Sequence, residues 1–242
     1  MSVRLKLGSK YYMETKKTIK IIFSLALGAI IIFFLVIFLN NHIEVKNKKG
    51  QLSSEAFAKM PVELIANEND LREGSGSLGI LVYEDYSDPF SAQFAQTLKR
   101  AQTDFSEQLQ IIYRPYNAID SESGDITAMA VLCAHEQSRG LEMREELFKQ
   151  QINTVFNREG MISLAQNLDL NMEAFNLCLT NPEKKERIEE VKQLAQKFAV
   201  YGTPTVFVGS EFITGARPYE TDFDSNGDEI EGLRQVIERQ LN

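Results

Sequence analysis

Apolar and polar positions change their rhythm several times along the chain, and each change marks a boundary. From Ile21 to Leu39 there is almost no polar position: the run reads IIFSLALGAIIIFFLVIFL, and only Ser24 and Gly28 are not strongly apolar. At about 1.5 Å of rise per residue such a helix is roughly 30 Å long, the thickness of a bilayer core. A buried helix of a globular domain keeps a polar face, and this run has none. It closes on Phe38-Leu39-Asn40-Asn41, without the small-x-small pattern of a cleavage site, so a retained transmembrane anchor is expected. Residues 40–77 then turn polar, with Lys48-Lys49-Gly50 inside and Gly74-Ser75-Gly76-Ser77 at the end. They read as a linker with one short helix near Ser53 to Lys59.

After residue 78 the rhythm is that of a folded domain. LGILVYED (78–85) is a short apolar run of the kind that forms a buried strand. Phe94, Leu98, Ala101 and Phe105 recur at helical spacing, and LQIIYRPYN (109–117) predicts a second strand that stops near Pro115. Five stretches with three- or four-residue apolar recurrence follow: Ile126 to Gly140, Leu141 to Gln151, Met161 to Asn167, Met172 to Leu179 and Pro182 to Phe198. Asn181-Pro182-Glu183 has the form of an N-cap, a first-turn proline and a first-turn acid. TVFV (205–208) and EFI (211–213) flank Gly209-Ser210, which suits a type II′ hairpin. A last helix is expected from about Glu231 to Gln240, and no internal repeat is visible.

Charge sets orientation and removes some functions. Lys16, Lys17 and Lys20 precede the apolar run directly, with Arg4, Lys6 and Lys10 further out. Lys46, Lys48 and Lys49 follow it, with Glu44 among them. The bias puts residues 1–20 in the cytoplasm and the bulk of the chain outside, in the cell membrane as a single-pass protein whose lipid partner is met through residues 21–39. Starting at Met13 instead of Met1 leaves the same topology. Ser24 and Gly28 are spaced for helix pairing in the bilayer, although small residues are common in such helices. The formal net charge of -8 argues against nucleic-acid binding, which needs a basic face. The two cysteines, Cys133 and Cys178, and the two histidines, His42 and His135, show no zinc-type spacing.

The element order is strand, helix, strand, helical block, hairpin, helix. Two strands joined through a helix imply a right-handed parallel crossover. This is the α/β thioredoxin architecture with a helical domain inserted at about 118–190. Three segments resemble one family, the DsbA-like thiol–disulfide oxidoreductases of the bacterial cell envelope. VYEDYSDPFSAQF (82–94) is similar to the strand, turn and Cys-Pro-x-Cys helix start; AMAVLCAHEQSRGLEMREELF (128–148) to the opening helices of the inserted domain; YGTPTVFVGSEFITGARPYE (201–220) to the cis-proline loop, hairpin and Gly-Ala-x-Pro-Tyr-Glu ending. Order and spacing agree over residues 78–242. The resemblance implies that Pro204 is a cis-proline facing the site.

The departures matter as much. The resemblance places the two exchange cysteines at Asp88 and Ser91. A carboxylate cannot form a mixed disulfide and a hydroxyl cannot resolve one, so the usual exchange cycle is closed here. Asp88-Pro89 instead makes a good capped helix start. No histidine or lysine lies nearby in sequence to make Asp88 and Ser91 a hydrolytic pair. Phe90, with Tyr86 expected to be exposed beside it, and with Thr203 and Pro204, is a candidate groove for an extended peptide, a mode that needs no cysteine.

Family members sometimes carry an extra disulfide in the inserted block, which makes Cys133–Cys178 a candidate structural bond. Two buried free thiols and a relocated redox pair are the alternatives. Asp222, Asp224, Asn226 and Asp228 alternate around Gly227 like the first half of an EF-hand loop. The second half fails, because position twelve is Leu233; the choice lies between a calcium site and an acidic turn leading into the last helix. No other cofactor is expected. The functional expectation is a membrane-anchored extracytoplasmic binding protein whose partner is an envelope protein or extended peptide, against a divergent oxidoreductase using Cys133 and Cys178.

Overall fold

The computed structural model describes residues 70–150 and 156–242. The predicted anchor at 21–39, the helix near Ser53 and the start at Met1 or Met13 lie outside the described residues. A five-stranded sheet is built from β1 (Leu71–Gly74), β2 (Leu78–Glu84), β3 (Leu109–Pro115), β4 (Thr205–Val208) and β5 (Glu211–Thr214), in the spatial order β1-β3-β2-β4-β5. β2 and β3 are parallel, with Glu84 opposite Pro115, and the other three pairings are antiparallel. The crossover between β2 and β3 is helix α1 (Pro89–Asp104). The inserted block holds α2 (Glu122–His135), α3 (Gly140–Lys149), α4 (Arg158–Asn167) and α5 (Met172–Cys178), and α6 (Pro182–Lys197) returns the chain to β4. A small hairpin, β6 (Asp222–Phe223) with β7 (Glu229–Ile230), leads to α7 (Leu233–Leu241).

The strand rhythm explains the layers. Ile80 and Val82 of β2 join Phe94, Ala95, Leu98 and Ala101 of α1 and Val236 and Ile237 of α7 in one buried cluster. Leu81 and Tyr83, on the opposite face, pack with Ala195, Val200 and Phe207 beside α6. A strand buried on both faces has no polar stripe, hence the unbroken LGILVY. Gly209 takes positive φ in the β4–β5 turn and Ser210 does not, the φ pattern expected of a type II′ hairpin.

One boundary is corrected. The linker was expected to run to residue 77, but Leu71–Gly74 is a strand paired with β3. Asp70 is buried just before it and takes Arg114 Nε and Nη2 at 2.9 and 2.7 Å. The Gly-Ser stretch is therefore structural: Gly74 has φ +76°, and a Cβ on Gly76 would lie 1.9 Å from the Gln108 carbonyl carbon. Close backbone passage, not flexibility, is what glycine supplies there.

A second buried ion pair fixes the helical block to the sheet. Arg144 of α3 donates from Nε and Nη2 to the two carboxylate oxygens of Glu84 at 2.5 and 2.8 Å. Glu84 is the last residue of β2, directly before the segment that carries the candidate site. Cys133 of α2 and Cys178 of α5 form a disulfide with Cα atoms 5.7 Å apart.

Candidate functional site

The site lies where β2 ends and α1 begins. Asp88 is the N-cap of α1 in an extended conformation, and Pro89 follows at the first helical position. One Asp88 oxygen accepts the Phe90 amide at 3.0 Å; the other accepts the Ser91 amide at 3.1 Å, the Ser91 hydroxyl at 3.0 Å and the Thr203 hydroxyl at 2.8 Å. One oxygen thus accepts three bonds and the other one. Ser91 is buried and its Oγ also accepts the Asp85 amide at 3.3 Å. The cis peptide is Thr203-Pro204, as the resemblance implied. The tie from Thr203 to Asp88 thus joins the cis-proline loop to the mouth of α1 across the position a redox sulfur would occupy. No imidazole or amine is among the partners of Asp88 and Ser91 in the described residues, so the pair has no base to make a nucleophile.

Asp85 lies beneath this mouth, buried. Burial pushes its carboxyl up from the ordinary value, against two bonds from the Ser87 hydroxyl and amide at 2.6 and 2.8 Å; the charges of Asp88 and Asp125 push the same way as burial. Burial likewise pushes the Glu84 carboxyl up, and the Arg144 guanidinium opposes it. Neither acid was singled out in the sequence, although two carboxylates directly after an apolar strand are an available signal.

The expected groove residues fall differently. Phe90 is 61% exposed, as expected, and Thr203 is half-buried. Tyr86 was expected at the surface but is 1% exposed, its ring 5.7 Å from that of Phe148. It sits in the first turn after β2, where its ring closes the core between sheet and insertion. Pro204 is also buried, so what that loop can offer is Thr203 and Tyr201, the latter 62% exposed. Ile119, beyond the end of β3, is 81% exposed. Because β2 and β3 are parallel and β4 antiparallel to β2, residues 90, 119 and 201 all emerge at the same end of the sheet.

The other candidates are elsewhere. Cys133 and Cys178 are 1% and 8% exposed within the core of the inserted block, so their sulfurs do not stand at the α1 mouth. The acidic 222–228 stretch is the β6–β7 hairpin. Asp224 there accepts the Asn226 and Asp228 amides at 2.8 and 2.9 Å, and Asp222 accepts the Phe223 amide at 2.8 Å. These carboxylates cap a turn. Among the described residues, no group of three or more His, Cys, Asp or Glu side chains is arranged to hold a metal ion.

A family model described as Thioredoxin matches residues 75–223, more than half of the chain. The chain belongs to the thioredoxin family. Several solved structures share its fold. The thiol-disulfide exchange protein alpha-DsbA2 from Wolbachia pipientis superposes with a TM-score of 0.63 at 17% identity, over 78% of this chain and 96% of that one. Oxidised BdbD from Bacillus subtilis gives 0.60 at 18% identity, over 73% and 95%. A linker-deletion mutant of Proteus mirabilis ScsC gives 0.65 at 18% identity, over 84% and 89%. At these identities the likeness speaks for the fold. No curated protein matches the sequence.

Proposed function

We propose that this thioredoxin-family chain is a membrane-anchored, extracytoplasmic DsbA-like protein that binds extended polypeptide at its cis-proline face and does not exchange disulfides. The observation that carries the reading is the α1 mouth. Asp88 and Ser91 stand there, the Asp88 carboxylate accepts four hydrogen bonds from the α1 start and Thr203, and the chain's two cysteines are bonded to each other in the inserted block. Without a thiolate the fold has no route to a mixed disulfide. What it keeps is a cis-proline loop with a half-buried Thr203, beside three exposed apolar side chains, Phe90, Ile119 and Tyr201. Large exposed apolar groups gathered at one sheet end favour a partner that covers them. The apolar run 21–39 and the lysines before it support the anchor and its orientation.

The test uses the full-length chain in its own membrane, with a photocrosslinking side chain at position 90 or 201, and at Glu107 on the opposite end of the sheet as control. Adducts to envelope polypeptides are expected at 90 and 201 and not at 107. In parallel, the purified full-length protein should fail to reduce insulin. Turnover comparable to an ordinary thiol oxidase, or a mixed disulfide through Cys133 or Cys178, would overturn the proposal in favour of a divergent oxidoreductase.

A further inference from the structure

The inserted block carries a second surface, on different residues from the cis-proline face. Between the start of α2 and the first half of α6 runs an open cleft of about 830 Å³, room for several side chains. Its floor is apolar: Ile126 and Met129 from α2, Leu179 from the α5–α6 connection, and Ile188 from α6. Its rim is acidic: Asp120, Glu122 and Asp125 on one side, Glu186 and Glu189 on the other, with Lys185 the one base among the described lining residues. Lys192 bonds to Asp120 and neutralises that end. Glu122 and Asp125 lie in the first turn of α2, where acids suit the helix dipole. Glu186 and Glu189 lie beyond the first turn of α6, so the helix end does not account for them.

The carboxylates do not converge. Among the described residues no three of them form a cation-binding group, so the arrangement does not favour a single metal ion as occupant. Negative charge spread along both banks of an apolar trough fits a polypeptide with apolar residues on one side and basic residues flanking them, the helix-in-groove mode. We infer that this cleft binds a cationic amphipathic helix of a partner protein. It contains none of Phe90, Thr203, Pro204 or Tyr201, so it stands whether or not the cis-proline face binds anything.

The experiment uses full-length protein in zwitterionic nanodiscs, with empty nanodiscs as blank. The probe is a fluorescent Lys/Leu amphipathic peptide of about 14 residues, long enough to be helical when seated. Two counterparts accompany it: a scrambled peptide of equal charge and a Glu/Leu version. Anisotropy should show the Lys/Leu helix binding at least tenfold more tightly than either. Glu186→Lys with Glu189→Lys should weaken it tenfold or more, and Glu107→Lys with Glu190→Lys, the same charge change on exposed positions that do not line the cleft, should not. Equal affinity for the scrambled peptide, or equal weakening by the two double variants, would overturn the inference, because net charge alone would then explain the binding.

Discussion

Replacing Arg144 by methionine should be the most damaging single change near the site. Glu84 is 1% exposed and Arg144 6%, and the two are joined by paired bonds of 2.5 and 2.8 Å. The guanidinium carbon also stands 4.0 Å from the Tyr113 ring centre and 4.9 Å from that of Phe148. Methionine fills much of the space but leaves a carboxylate buried with no counter-charge, which typically costs about 3–5 kcal/mol. In a fold of this size each 1 kcal/mol moves the midpoint by roughly 2–4 °C, so Tm should fall by about 10 °C. Thermal unfolding of the full-length protein followed by circular dichroism would read this. The deficit should depend on pH. Burial already raises the Glu84 carboxyl, and removing the guanidinium raises it further. An acid whose folded value is raised binds its proton more readily folded than unfolded, so its ionisation costs stability as pH rises through that folded value. The gap between Arg144→Met and wild type should therefore narrow on acidification. The double variant Glu84→Leu with Arg144→Met removes both charges and should recover most of the loss. An Arg144→Met protein within about 1 kcal/mol of wild type at neutral pH, or a double variant worse than the single, would refute the reasoning.

Other consequences can be checked in the same way. Replacing both cysteines by alanine opens a loop with sequence separation 45 and should cost about 4 kcal/mol in the chain-entropy model, read as a lower denaturant midpoint. Asp88→Ala loses the α1 cap and the Thr203 tie and should cost about 1–2 kcal/mol, with Asp88→Asn milder. Asp85→Asn keeps the acceptor oxygen used by Ser87 and removes a buried charge. Because the Asp85 carboxyl is raised, the variant should be the more stable form at neutral pH and lose that advantage as pH falls to the ordinary value of 3.8. Asp88→Cys with Ser91→Cys places Cys-Pro-Phe-Cys at the helix mouth; measurable insulin reduction is expected, and its absence would mean that more than sulfur has been lost.

Much of the domain was legible because its signals are local. The α1 start needs only Asp88 and Pro89, and the β4–β5 hairpin only Gly209-Ser210 between β-rich runs. The buried β2 shows as an unbroken apolar stretch. β1 was not legible: LREG has one apolar residue among charges, and its reason to be a strand is β3 beside it and Arg114 waiting for Asp70. The burial of Tyr86 is not legible for the same kind of reason, since burial after a strand end depends on what the insertion places over it.

What the sequence determined by itself is the order of the main strands and helices from β2 onward, the membrane-length apolar run, and the absence of cysteine at positions 88 and 91, because periodicity, length and residue chemistry are properties of neighbours along the chain. What only the tertiary structure decided is which distant groups meet: Thr203 on Asp88, Arg144 on Glu84, Cys133 on Cys178, and the acidic banks of α2 and α6 across one trough. Hydrogen bonds and ion pairs act over a few ångströms of space, and residues separated by 45 to 115 positions come within that range only once the sheet and the inserted block have packed.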